Sequence, residues 1–137
     1  MTEKNKGFIR RFLEELDKDL SAVDDFFSSN CVVHLPGNPG PANREGFKQF
    51  VRLLYTAFPD LRHTVEDQIA EDDKVVSLVK AHGTHQGPFQ SIEPTGRQVT
   101  ITDIVITHLA TGRVIELWAQ FDVLGLLQQL GVPSPSG

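Results

Sequence analysis

The sequence predicts an α+β domain in which helices come first and a meander of long strands follows. Two observations carry this reading. Up to residue 58 the apolar residues recur every three or four positions, and from residue 65 to 122 they alternate in twos. Two short polar turns, Glu71-Asp72-Asp73 and Ala110-Thr111-Gly112, join the later runs into hairpins. Helices segregated from strands pack on a mostly antiparallel sheet rather than alternating with parallel strands.

Each element follows from its residues. In residues 3–20, Phe8, Ile9, Phe12, Leu13, Leu16 and Leu20 fall on one helical face. Ser21 stands where it would cap a short second helix running through Phe26 and Phe27. Residues 31–35 read as a strand, broken by Pro36, Pro39 and Pro41 with Gly37 and Gly40 into a loop over 35–42. Asn43 is a good N-cap for a third helix whose stripe is Phe47, Phe50, Val51, Leu54 and Phe58. Pro59 ends it, because the residue before a proline avoids helical angles. Val65 with residues 68–70, and then residues 75–81, form a hairpin. Residues 96–109 are β-branched and alternating, 114–122 form the last strand, and 124–131 a terminal helical turn. Residues 1–131 thus make one domain and 132–137 a loose tail.

Composition narrows the class of function. The 137 residues carry 13 Lys and Arg against 18 Asp and Glu, a formal charge of −5. A nucleic-acid binder needs a basic face, so none is expected; a neutral or weakly polar small molecule fits better. One cysteine, Cys31, allows no internal disulfide and suits a reducing compartment. The N-terminal stretch has no apolar signal core and no run of 18 apolar residues occurs, so a cytoplasmic protein without a membrane span is expected. Nucleotide-cradling glycine motifs and a Gly-x-Ser-x-Gly nucleophile elbow are absent.

Five short segments then become specific in combination. They are Gly46-Phe47-Lys48-Gln49-Phe50; Ala57-Phe58-Pro59-Asp60-Leu61; Gly83-Thr84-His85-Gln86-Gly87; Pro94-Thr95-Gly96-Arg97; and Ile115-Glu116-Leu117-Trp118 with the run from Phe121 to Gly131. In this order and spacing the chain resembles the SnoaL-like polyketide cyclases over about residues 5–131. The resemblance implies the α+β cone shared with nuclear transport factor 2, cystatin-like in outline, with N-terminal helices packed on a curved sheet around a conical pocket. It also implies intramolecular aldol ring closure on a small apolar or aromatic carbonyl compound, without metal or other cofactor. Fold alone does not fix the substrate. A steroid-isomerase-like or hydratase activity on a terpenoid or steroid ketone, and a non-catalytic ligand-binding dimeric module, stay open beside it.

Aldol closure needs a base for a carbon-bound proton and an acid for the new alkoxide. One carboxylate in an apolar pocket serves both, because desolvation lifts its pKa. The resemblance puts that role on Asp122, in Trp118-x-x-x-Asp122; helix capping is the plain alternative for the same residue. Period-two alternation groups Trp118, Gln120 and Asp122 as a pocket wall and leaves Leu117, Ala119 and Phe121 for the opposite face, where an apolar surface suits a homodimer. His34, where many family members carry a histidine, and His85 are the candidate helpers. Asp103 and His108, read as sharing one face of the long strand, are further pocket candidates with Trp118 and Gln120. His82 and His85, three apart on a strand, point to opposite faces, so no metal site is expected from them.

Overall fold

The computed structural model describes residues 2–132. The expected loose tail lies, past Val132, outside the described residues.

The first helix, α1 (Thr2–Leu16), ends four residues before the predicted boundary. Asp17 leaves the helix because its carboxylate is used by two other elements, described below. Leu20 still packs, partly buried, against the core. Ser21 precedes α2 (Ala22–Phe26) but its side chain makes no cap bond; instead Asp19 Oδ1 accepts from the Ser21 N–H at 2.9 Å. Strand β1 (Phe27–His34) starts four residues earlier than its apolar run suggested. In α3 (Arg44–Ala57), Asn43 Oδ1 accepts from the Gly46 N–H at 2.8 Å, the expected cap. Then follow β2 (Arg62–Glu71), β3 (Lys74–Thr84), β4 (Gln98–Ala110), β5 (Arg113–Phe121) and α4 (Val123–Gln129).

Among the described residues the strands make one curved sheet in the order β1-β5-β4-β3-β2. Only the β1–β5 pair is parallel. On the inner face α1 packs against β2 and β3, α3 against β1, and α4 against β4. Two apolar cores fill the space. One gathers Phe12, Phe27, Val33, Phe47 and Leu117; the other Phe58, Leu61, Phe89, Ile101 and Leu126. Tyr55 packs against both, so it marks the seam between them.

Which face a strand residue takes is set by two bulges. Val65 opposes Val79 but Asp67 opposes Leu78, so Glu66 is an extra residue in β2. In β5 the register shifts between Val114 and Glu116, leaving Ile115 extra. Each bulge reverses the alternation beyond it. His63 and Val65 therefore face inward with Gln68, and Val114 faces inward with Leu117 and Ala119.

The loop from His85 to Arg97 closes over the end of α3. Gln86 and Gly87 both donate their N–H to the Ala57 carbonyl. A Cβ at Gly87 would collide with the Thr56 carbonyl oxygen, so only glycine allows this approach.

Candidate functional site

The structure separates the residues that the sequence grouped. Leu117 and Ala119 are buried in the core, so Trp118 and Gln120 face outward, the reverse of the expected pocket wall. The core took the smaller apolar residues of β5 and left the indole outside. His34 lies on that outer face too. Its ring stacks on Trp118 at 5.1 Å and 11°, and its Nε2 lies 2.8 Å from Glu116 Oε2. His108 pairs with Lys74 and Glu116 on the same outer face. Asp103 does not share its face, since a separation of five residues along a regular strand changes sides.

Asp122 is exposed and serves as the N-cap of α4, its Oδ1 accepting from the Gly125 N–H at 2.8 Å. The close fit depends on Gly125, where a Cβ would run into the Asp122 carboxylate. His85 is wholly buried against Phe58, and its Nδ1 accepts from the Thr95 N–H at 3.1 Å. That bond places the ring proton on Nε2, which is buried without a partner among the described residues. His82 is exposed on the opposite face, with Nδ1 3.2 Å from Thr100 Oγ1.

Asp103 is the sequence-named carboxylate that does face inward. Its neighbours along the inner side of β4 are Ile101, in one core, and Val105, packed against the other. Across the sheet it opposes Phe121 on β5 and Val79 on β3. It therefore stands at the same seam as Tyr55. Its Oδ1 is buried with no hydrogen-bond partner among the described residues. Burial pushes its pKa up to about 6, against a smaller lowering effect from a charge on His63.

Three residues that the sequence did not single out complete the arrangement. Asp17, just past α1, accepts from Tyr55 Oη on α3 at 2.6 Å. The same Oδ1 lies 2.7 Å from His63 Nδ1 on β2, and Oδ2 accepts from the His63 backbone N–H at 2.9 Å. Burial of Asp17 raises its pKa, but the bonds from His63 and Tyr55 outweigh this and hold it below the usual carboxylate value. An ionised carboxylate only accepts, so His63 Nδ1 carries a proton and the free nitrogen is Nε2. Burial first, and then Asp17, push the Tyr55 hydroxyl well above its ordinary range, so it stays a donor. His63 and Asp17 line an open groove of about 860 Å³, shared with Pro59, Leu61, Thr84 and Val99. Asp17 and Tyr55 also line a second cavity of about 350 Å³ between α1 and α3.

The signal for these residues was weak in the sequence. Asp17 sat inside a predicted helix, Tyr55 at the edge of an apolar stripe, and His63 just ahead of a strand whose facing depends on the Glu66 bulge. Among the described residues no three His, Cys, Asp or Glu side chains gather as a metal-binding group. Cys31 is buried, and burial raises its thiol pKa.

Comparison with known proteins gives this geometry a context. A family profile described as SnoaL-like polyketide cyclase matches residues 8–130. Among solved structures, AclR from Streptomyces galilaeus, described as a candidate hydroxylase, is 25% identical, with a TM-score of 0.90 over 100% of this chain and 91% of that one. IdmH from Streptomyces antibioticus, described as a candidate polyketide cyclase, is 31% identical, with a TM-score of 0.85 over 93% and 99% of the two chains. A SnoaL-like candidate cyclase from Jannaschia sp. CCS1 is 25% identical, with a TM-score of 0.87 over 97% and 95%. A search of curated proteins finds no match.

Proposed function

Because the chain belongs to the SnoaL-like polyketide cyclase family, we propose that it catalyses cofactor-free enolate chemistry on a small apolar carbonyl compound, with aldol ring closure as the reaction type. The observation that carries this reading is Asp103. It is an inward-facing carboxylate in an apolar seam, with one buried oxygen free of any protein partner among the described residues. Such a group accepts a carbon-bound proton at neutral pH and returns it as an acid, since its pKa sits near the working range. The base role goes to Asp103 rather than Asp122, whose carboxylate is engaged in capping α4 at the surface.

Isomerisation of a steroid-like or terpenoid ketone uses the same enolate step and is the second reading. One inward carboxylate with a free oxygen supports it as well as ring closure, so the products decide between them.

The test compares wild type with Asp103→Asn against a panel of polycyclic keto-esters and oxo-steroids. Turnover is read beside thermal-shift binding. The expected result is retained binding with turnover reduced by about two to four orders of magnitude. Unchanged turnover in the variant overturns Asp103 as the base. Binding without turnover in wild type makes the chain a ligand-binding module.

The proposal includes a homodimer through the outer face of the sheet. A row runs across all five strands there: His34, Trp118, Ile106, Val76 and Ile69. Ile104 and Leu78 continue it, Ile104 at 49% and Ile69 at 68% exposure. Covering such a surface with a second copy removes apolar area from water, the usual driving force of association. No helix among the described residues is long and apolar enough to cross a membrane.

A further inference from the structure

We propose that His63 is a second catalytic group, giving a proton to the substrate oxygen while Asp103 handles the carbon-bound proton, and that Asp17 is its positioning residue. This rests on the reading of Asp103 given above.

The argument starts from Asp17. A carboxylate that receives a side-chain N–H, a backbone N–H and a phenol O–H has fixed geometry, and two of those donors belong to His63. The His63 ring is therefore locked at Nδ1. Its other nitrogen, Nε2, has no hydrogen-bond partner among the described residues, and the residue lines the large groove. The side chain is 11% exposed, so the ring is sheltered but reachable. Both side chains stand on the inner face of the sheet: the row of Asp103 passes through Val79 to Val65 on β2, and His63 is the next inward residue along β2. The two thus stand on the same side of the sheet with complementary abilities: a carboxylate to accept a proton and, at Nε2, a ring nitrogen to hold and donate one.

The proton balance is simple. Asp103 takes the proton from the carbon next to the carbonyl. The enolate carbon bonds to the acceptor carbonyl carbon, whose C=O π pair becomes an alkoxide. His63 Nε2–H protonates that oxygen. Water then carries a proton from Asp103 back to His63. The product is an isomer of the substrate and no electrons are gained or lost. Tyr55, through its bond to Asp17, fixes the carboxylate from the α3 side.

The titrating groups around His63 are Asp17 past α1, Tyr55 on α3 and Asp103 on β4; Asp60, Arg62 and His82 line the groove beside it. The first measurement needs no substrate. Carbon-13 NMR of the Asp103 carboxyl in His63→Gln should show its midpoint raised by about half a pH unit or more, because the opposing cation is gone. The second uses the substrate found by the panel. His63→Gln should lower kcat by about a hundredfold with KM nearly unchanged. Asp17→Asn keeps the His63 ring but weakens its hold. It should lower kcat with KM nearly unchanged, a split that a merely structural tie would not give. If His63→Gln does not fold, Asp17→Asn decides by the same split.

An unmoved Asp103 midpoint, or a full kcat in His63→Gln, overturns the proposal while leaving Asp103 in place. The failure of Asp103→Asn to reduce turnover overturns the underlying reading instead.

Discussion

At the scale of single residues, two aspartates show how the same side chain takes opposite roles. Asp122 is exposed and its carboxylate satisfies an otherwise open helix N–H. Asp122→Ala should therefore cost about 1 kcal/mol in urea unfolding, while Asp122→Asn, another good cap, should cost much less. Asp103 is destabilising wherever it is charged. Its folded pKa of about 6 is raised above the unfolded value near 3.8. The protonated folded state is thus favoured below pH 3.8, and stability is lost as pH rises from there through about 6. At roughly 1.4 kcal/mol per pH unit, the loss reaches about 3 kcal/mol above pH 7. Asp103→Asn should be more stable than wild type by up to that amount at pH 8 and nearly equal to it at pH 3. Equal stabilities at pH 8 would show that the carboxylate is not desolvated. An active site that stores such a cost is a common reason for a buried carboxylate without a partner.

At the scale of elements, ends and irregularities do more than regular segments. The period of the apolar residues predicted α3 and its cap, since a helix stripe and an N-cap are local properties. It did not predict the end of α1, because Asp17 is drawn out of the helix by Tyr55 and His63, 38 and 46 residues away in sequence. The Glu66 bulge is likewise a property of the β2–β3 pairing, and without it His63 and Gln68 would lie on opposite faces. The 85–97 loop is held to α3 by the Ala57 carbonyl. Gly87→Ala must displace the Thr56 carbonyl and should destabilise by about 1–3 kcal/mol, measured by thermal or urea unfolding. Because this loop buries its own Phe89 and His85 in the core against Phe58, the loss should appear in global stability rather than only in local exchange.

For the whole molecule, the sheet divides two surfaces of different chemistry. The inner face carries two apolar cores and, between them, the polar seam of Asp103, His63, Asp17 and Tyr55. The outer face carries the apolar row, with His34 at its edge stacked on Trp118 and bonded to Glu116. If that row meets its copy across a two-fold axis, Ile104→Lys should convert a dimer to a monomer in light scattering at micromolar concentration, with the fold retained by circular dichroism. A charge placed at the centre of an apolar contact is strongly disfavoured. A wild-type monomer under those conditions would remove the homodimer from the proposal.

The sequence by itself determined the class of fold, the order of elements and the family. Each of these rests on local periodicity, local capping or ordered short motifs, and all are readable along one chain. It also named Asp103 among its pocket candidates. Only the tertiary structure decided which face each strand residue takes and which distant polar groups meet. Trp118 and Gln120 went outward because Leu117 and Ala119 filled the core, and His34 and His108 because their neighbours Val33 and Leu109 did, since a strand changes sides at every residue and again at every bulge. His63, Asp17 and Tyr55 came together from three elements, through contacts that no spacing in the sequence encodes.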